Sequence, residues 1–315
     1  MRRLAKVIPV LCFTGAAAVS PAILADDHTV VGEEFDYTVR RGDTLAGIGA
    51  RFGVSPQSLA ARNRLAATGR LVRGKVLRVD NRHIVPKTLE NGILINIPQR
   101  LLFYFVGGRL DVWYPVALGQ PGSWQTPTGS YQVLQKEKDP VWEVPDSIQQ
   151  EMRRKGEKVQ ARVPPGPDNP LGEYRLRLSL ECCGIHGTNA PQSIFRFQTH
   201  GCIRLARQDA VDLFSRASVG VPVEIIYEPV LLSRDRSGKI FVEVHPDVYR
   251  RTEGNREAAK AIAESRGLGS ASRSARWEEI LDEEEGIAVR LPLRTSVWIE
   301  ADGLPESERP GPAFR

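Results

Sequence analysis

Two short segments bring together residue types that can do chemistry. They are Ile185-His186-Gly187-Thr188-Asn189 and Thr199-His200-Gly201-Cys202-Ile203-Arg204-Leu205. If the second is extended, side chains two apart share a face. His200, Cys202 and Arg204 then lie together, while Ile203 and Leu205 point away. A face carrying an imidazole, a thiol and a guanidinium makes a poor core and a good site. An ordinary thiol, with a pKa near 8.5, is only about 3% thiolate at neutral pH, and the thiolate is the nucleophile. His186 or His200 could take the proton and leave a stabilised ion pair, a general-base role that contributes roughly 10²–10⁴ in rate. Gly201 lets the backbone approach a substrate closely, and amides near Cys202 could stabilise an oxyanion. A zinc site would consume the thiolate as a ligand, and neither segment has C-x-x-C or H-x-x-x-H spacing. No metal and no cofactor are expected.

These segments sit in a chain of 315 residues, enough for two domains. Residues 1–25 read as a secretory signal: Arg2, Arg3 and Lys6 precede an apolar run, Val7 to Val19, with cleavage expected after Ala25. The apolar run is short for a spanning helix. Removing the signal lowers the net charge from +5 to +2, which gives no reason to expect nucleic acid. Cys12 leaves with it, so Cys182, Cys183 and Cys202 remain, and an odd count in an exported chain suggests a working thiol. Adjacent Cys182 and Cys183 are expected as small packing residues rather than as a disulfide, which neighbours form only with strain. His28, His83 and His245 have no polar constellation around them. Phe103, Tyr104, Phe105, Trp113 and Tyr114 are expected to pack a sheet.

Residues 36–80 predict strand–helix–helix–strand. Asp36 to Val39 is the first strand. A turn at Arg41-Gly42-Asp43-Thr44 caps a helix with Leu45, Ile48 and Phe52 on one face, ended by Gly53. Ser55-Pro56 opens the second helix and Gly74 to Val79 closes the unit. The run Tyr37-Thr38-Val39-Arg40-Arg41-Gly42-Asp43-Thr44-Leu45, with Ile48, Phe52, Gly53, Asn63, Gly74 and Leu77, resembles the LysM domain. That resemblance implies binding of N-acetylglucosamine-containing glycans such as peptidoglycan. Nine Lys/Arg against three Asp in residues 35–80 would suit a wall bearing stem-peptide carboxylates.

Residues 84–228 predict a mainly β domain. Its strands are Ile93 to Ile97, Leu101 to Val106, Leu110 to Leu118, Ser130 to Gln135, Tyr174 to Leu180 and Val223 to Tyr227. Helices are expected at 146–156 and Gln208 to Arg216, with an irregular Pro-rich stretch at 164–170. Residues 229–315 predict an α/β extension of unknown role: a strand at Lys239 to Val244, helices at Glu253 to Ser265 and Ala275 to Glu284, and one or two strands within Ile287 to Glu300.

The two segments, with Tyr114-Pro115-Val116, Gly119, Thr126-Pro127-Thr128-Gly129 and Pro164 to Gly172, resemble the L,D-transpeptidase (YkuD) family over roughly residues 90–228. The branch they resemble most is periplasmic and carries an N-terminal LysM domain. The resemblance implies a β-sandwich-like catalytic fold with Cys202 as nucleophile and His186 as base. His200, Gly201 and Arg204, together with Thr199 and Gly187, would shape the oxyanion and substrate site, and residues 164–170 would form part of a loop over the cleft. It further implies a transferase of peptidoglycan biosynthesis, acting in cell-wall organisation and cell shape. The thiol would attack the meso-diaminopimelate–D-Ala bond of a tetrapeptide stem, and carbapenems should acylate the same sulfur. The acceptor would be a second stem or the C-terminal lysine of an outer-membrane lipoprotein. Competing readings are a carboxypeptidase or endopeptidase that uses water, and a non-catalytic wall-binding protein.

Overall fold

The structure is a computed structural model that describes residues 29–235, 237–269 and 274–292. The expected signal, His28 and the expected strand region beyond residue 292 lie outside the described residues.

The chain begins with β1 (Val30–Val31), β2 (Glu34–Thr38), α1 (Leu45–Phe52), α2 (Pro56–Arg62), β3 (Val76–Asp80) and β4 (His83–Ile84). The Thr44 side chain accepts from the Gly47 amide, and Gly53 ends α1 in a left-handed conformation (φ 72°) that costs glycine little. Ser55 caps α2, with Pro56 in its first turn. β2 and β3 pair antiparallel, Tyr37 opposite Leu77. Val39, Leu45, Ile48, Val54, Leu59, Leu77 and Val79 fill the core beneath the helices.

Next come β5 (Gly92–Asn96), β6 (Leu101–Val106), β7 (Arg109–Gly119), β8 (Gly129–Lys138), β9 (Trp142–Glu143), α3 (Asp146–Lys155), β10 (Arg162–Val163), β11 (Tyr174–Leu178), β12 (Gly184–His186), β13 (Phe197–Thr199), β14 (Ile203–Leu205), α4 (Arg207–Arg216) and β15 (Pro222–Ile226). Nine strands form one sheet in the order β13-β7-β14-β12-β11-β8-β15-β5-β6. The long β7 closes it, because its first half pairs with β6 and its second with β14 and β13. The mainly β expectation holds, with the layers joined into a barrel-like sheet. Ile93, Ile95, Val116, Val133, Leu176, Ile185, Ile203 and Ile225 fill its interior, and α4 packs on them through Ala210 and Leu213. Phe103, Tyr104, Phe105 and Tyr114 are buried as the sequence suggests.

The remainder is a three-stranded antiparallel sheet, β16 (Val230–Arg234), β17 (Ile240–Val244) and β18 (Val289–Leu291), covered by α5 (Asn255–Ser265) and α6 (Ala275–Glu283). β16 escapes the sequence reading, since Val230-Leu231-Leu232 is a very short apolar run. His83 and His245 do share a polar constellation, contrary to expectation. Their rings flank Glu243 at 2.8 and 2.7 Å, and all three side chains are buried. The second nitrogen of His83 meets the Gly53 carbonyl at 3.0 Å, and Glu243 also accepts the Ile84 amide. Burial opposes ionisation of Glu243, but its hydrogen bonds and the facing histidines hold its pKa at about 2. This cluster ties the first unit to the C-terminal extension through residues 160 apart.

Candidate active site

His186 ends β12, which runs between β11 and β14. In register, Arg175 of β11 and Arg204 of β14 stand opposite His186. Leu176, Ile185, Ile203 and Leu205 belong to the barrel core. Strand alternation therefore sends Arg175, His186 and Arg204 to the other face. One step back along the β12–β14 pairing, Gly184 adjoins Cys202. A backbone hydrogen bond from Gly184 reaches the Cys202 sulfur. Gly184 is required by a close strand approach: a Cβ there would lie 2.8 Å from the Leu176 carbonyl oxygen and 3.6 Å from Arg175 Nε.

The electrostatics set the resting protonation. Burial first, then the charge of Arg204, pulls His186 down to about 3, so its imidazole is neutral at physiological pH. Its Nδ1 lies 2.7 Å from the Gly187 carbonyl. A carbonyl only accepts, so Nδ1 carries a hydrogen, and the Leu171 carbonyl is a second backbone acceptor for the ring. Cys202 is partly exposed at its surface. Its sulfur nevertheless lies deep enough for burial to push the thiol pKa up, against the pull of Gly184, Arg175 and Arg204. At rest the Cys202 thiol and the His186 imidazole are thus both neutral. Burial also lowers the Arg204 pKa. The Nε atoms of Arg175 and Arg204 are buried without a hydrogen-bond partner among the described residues.

Residues 199–205 do not form one extended stretch, which corrects the shared face expected for His200, Cys202 and Arg204. β13 ends at Thr199, β14 begins at Ile203, and Gly201 has φ 103°, a conformation that disfavours any side chain. A Cβ on Gly201 would also come within 2.9 Å of Cys183 Sγ. Hydroxyls hold this bend. Thr199 Oγ1 donates to the Cys202 carbonyl at 2.6 Å and accepts the Gly201 amide at 3.2 Å. Thr126 Oγ1 donates to the Gly201 carbonyl and accepts the Gly119 amide, both at 2.9 Å. The bend turns His200 toward α3, where Nε2 lies 2.8 Å from Glu151 and the ring meets Trp124 edge-on at 4.5 Å. Lys155 first, then His200, lowers the Glu151 pKa to about 2.

Cys182 and Cys183 are paired as a disulfide, so the expectation of two packing thiols is wrong for them. Cys202 is the free thiol among the described residues. Gly187 borders a cavity of about 470 Å³ lined also by Gly166, Pro167, Asn169 and Gly172 of the Pro-rich loop. Buried Asn169 pins that loop, donating to the Pro140 carbonyl at 2.8 Å and accepting the Leu171 amide at 2.9 Å. Among the described residues, no group of three or more His, Cys, Asp or Glu side chains could hold a metal ion.

A family model for the L,D-transpeptidase catalytic domain (YkuD) matches residues 90–225, and one for the LysM domain matches residues 37–80. The protein named probable L,D-transpeptidase YbiS, from Escherichia coli K12, is 32% identical over 74% of this chain and 77% of its own length. The chain belongs to the L,D-transpeptidase family. Another K12 member, named probable L,D-transpeptidase YcfS, is 33% identical over 74% of this chain and 77% of its own length. Probable L,D-transpeptidase ErfK/SrfK of Salmonella typhimurium is 29% identical over 92% of this chain and 98% of its own.

Several residues around the site of this L,D-transpeptidase escape the sequence reading. Arg175 looks like one charge in an alternating strand, and only the register with His186 reveals it. Glu151 lies 49 positions from His200. Tyr249 comes from the C-terminal extension, yet it is buried with its hydroxyl 2.5 Å from the Gly119 carbonyl and 3.2 Å from the Thr126 amide. Thr126 does carry a sequence signal, the Thr-Pro-Thr-Gly motif.

Proposed function

We propose that this chain is a peptidoglycan L,D-transpeptidase with Cys202 as nucleophile and His186 as general base. One observation carries the reading: the free thiol occupies the bend that enters β14, while the adjoining strand β12 carries the neutral imidazole of His186. Cys202 attacks the meso-diaminopimelate carbonyl of a tetrapeptide stem as its proton passes to His186. A neutral resting pair fits this timing, because the proton moves as the sulfur–carbon bond forms. The Gly201 amide is already engaged by Thr199. Oxyanion stabilisation then falls to the Cys202 amide and the Arg204 guanidinium. The unpartnered Nε–H groups of Arg175 and Arg204 suit a stem carboxylate. Collapse expels D-Ala, which takes the proton from His186, and leaves a thioester. An amine then attacks the thioester while His186 accepts its proton; the carbon–sulfur bond breaks, an amide is left, and His186 passes the proton to the departing sulfur, which restores the thiol.

The signal read in residues 1–25 directs the chain to the periplasm, and the LysM unit holds it to the wall. The acceptor is the side-chain amine of a second stem or the lysine of a lipoprotein. Water in its place makes a carboxypeptidase. Mass analysis of muropeptide products tests the proposal. D-Ala release with a new amide between two stems, or between a stem and lysine, is the expected result. Cleavage within the stem without transfer would make the protein an endopeptidase. Wall binding with no D-Ala release would make it a binding protein.

A further inference from the structure

The Cys182–Cys183 disulfide stands beside Cys202, and the acyl transfer has no use for it. β12 and β14 run parallel, with Ile185 opposite Ile203. Two residues earlier, the same register sets Cys183 beside Gly201; one residue earlier, it sets Gly184 beside Cys202. Two contacts agree with this placement. A Cβ on Gly201 would come within 2.9 Å of Cys183 Sγ, and the Gly184 backbone bonds to the Cys202 sulfur. Each cysteine is thus one residue away from the group that touches the other. Neighbouring strands lie about 4.8 Å apart and rise about 3.3 Å per residue, so a one-residue diagonal separates Cα atoms by about 5.8 Å. Disulfides commonly span Cα separations of about 4.4–6.8 Å.

The two bonded sulfurs are not equivalent. Cys183 is buried against Gly201, whereas Cys182 is exposed. A thiolate attacks one sulfur of a disulfide and expels the other, and exchange is favoured when the attacked sulfur is within reach and the leaving sulfur is stable as a thiolate. Here the near sulfur is that of Cys183, and the leaving sulfur, that of Cys182, departs into water. Glycine at 201 keeps a side chain out of the approach. Arg175 and Arg204 favour the attacking thiolate by their charge.

We infer that Cys202 exchanges with this disulfide, so that the nucleophile is reversibly parked as a Cys183–Cys202 bond. The Cys182–Cys183 bond breaks as the Cys183–Cys202 bond forms, and the proton that Cys202 gives up goes to the released Cys182 sulfur. One disulfide and one thiol are present before and after, so the step needs no oxidant. A parked Cys202 has no thiolate with which to attack a stem. This exchange rests on Cys202 as the nucleophile and adds redox control to that site. A dithiol reductant, by opening the disulfide, leaves three thiols and releases the site.

The test maps sulfur connectivity in the full exported chain. After incubation at mildly alkaline pH, free thiols are capped with N-ethylmaleimide and the chain is digested without reduction. We expect a peptide pair joined through Cys183 and Cys202, with Cys182 capped, and a matching fraction of chains that a carbapenem fails to acylate. Dithiothreitol should abolish the joined pair and bring acylation to one adduct per chain. Cys182→Ser leaves Cys183 and Cys202 as the two cysteines of the exported chain. Oxidised glutathione, taking two electrons from them, should join them and lower acylation about tenfold or more, and dithiothreitol should restore it. A map that holds only the Cys182–Cys183 bond, with acylation unchanged by dithiothreitol, overturns the inference. So does glutathione retained on Cys202 of Cys182→Ser with no internal bond. A fully reduced chain that takes no carbapenem on Cys202 would bring down the nucleophile reading instead, while the connectivity map still decides the exchange.

Discussion

The Tyr249 hydroxyl donates to the Gly119 carbonyl at 2.5 Å and accepts the Thr126 amide at 3.2 Å, so a residue of the C-terminal extension braces the turn behind Cys202. Thr126 in turn holds the Gly201 carbonyl. Tyr249 is itself fixed, its amide donating to the Tyr227 hydroxyl at 2.8 Å and its ring lying against Phe197. Tyr249→Phe keeps the ring and leaves a buried carbonyl unpaired, a loss of about 1–3 kcal/mol in stability. Loosening of the bend should also slow acylation by a carbapenem about 10-fold or more, since small misplacements of a nucleophile are costly. Stopped-flow acylation beside thermal melts checks both. A destabilised variant with an unchanged acylation rate would reduce Tyr249 to a packing residue.

The two histidines should separate sharply. With His186 as the proposed base for Cys202, His186→Ala should lower acylation by roughly 10²–10⁴. His200 is engaged by Glu151 and Trp124. His200→Ala should therefore cost under about tenfold, through looser placement of α3. Equal or reversed losses in single-turnover rates would contradict the assignment.

The resting protonation makes a pH prediction. Burial raises the Cys202 pKa and holds His186 at about 3. Alkylation of Cys202 by iodoacetamide should climb with pH through the neutral range toward an alkaline plateau. A resting thiolate–imidazolium pair would instead give a plateau between the two pKa values. Observing that plateau near neutrality would refute the neutral pair.

Stability should fall with acid in two stages. Burial lowers the pKa of both His186 and His245, so the unfolded chain takes up more protons once pH falls below about 6.5. With a folded value of about 3, His186 alone removes roughly 2 kcal/mol between pH 7 and pH 5. Glu243, held at about 2, adds stability above its ordinary range that is lost as pH falls from about 4.5 toward 2. Urea melts at pH 7, 5 and 4 check this. Stability that stays flat from pH 7 to pH 5 would contradict the buried neutral histidines.

Local sequence accounts for much of the fold. Thr44, Gly53 and Ser55 mark helix ends through capping and glycine conformation, and the structure places α1 and α2 where those signals point. The two segments with Cys202 and His186 also stand out by composition alone. What stayed hidden depends on chain closure. Arg175 joins the site only through the β11–β12 register, and Glu243 meets His83 only when the C-terminal sheet docks on β4. Residues 199–205 misled because alternation implies a straight strand, whereas Gly201 at φ 103° bends it and sends His200 to α3. The Cys182–Cys183 pairing was likewise obscured, since adjacency argues against a disulfide.

The central claim is that Cys202 is the acylated residue. Intact-mass spectrometry after incubation with a carbapenem tests it most directly. The unsubstituted protein should gain the mass of one inhibitor molecule, mapped by peptide digestion to Cys202, and Cys202→Ala should gain none. An adduct that persists on Cys202→Ala, or maps to Cys182 or Cys183, would contradict the account.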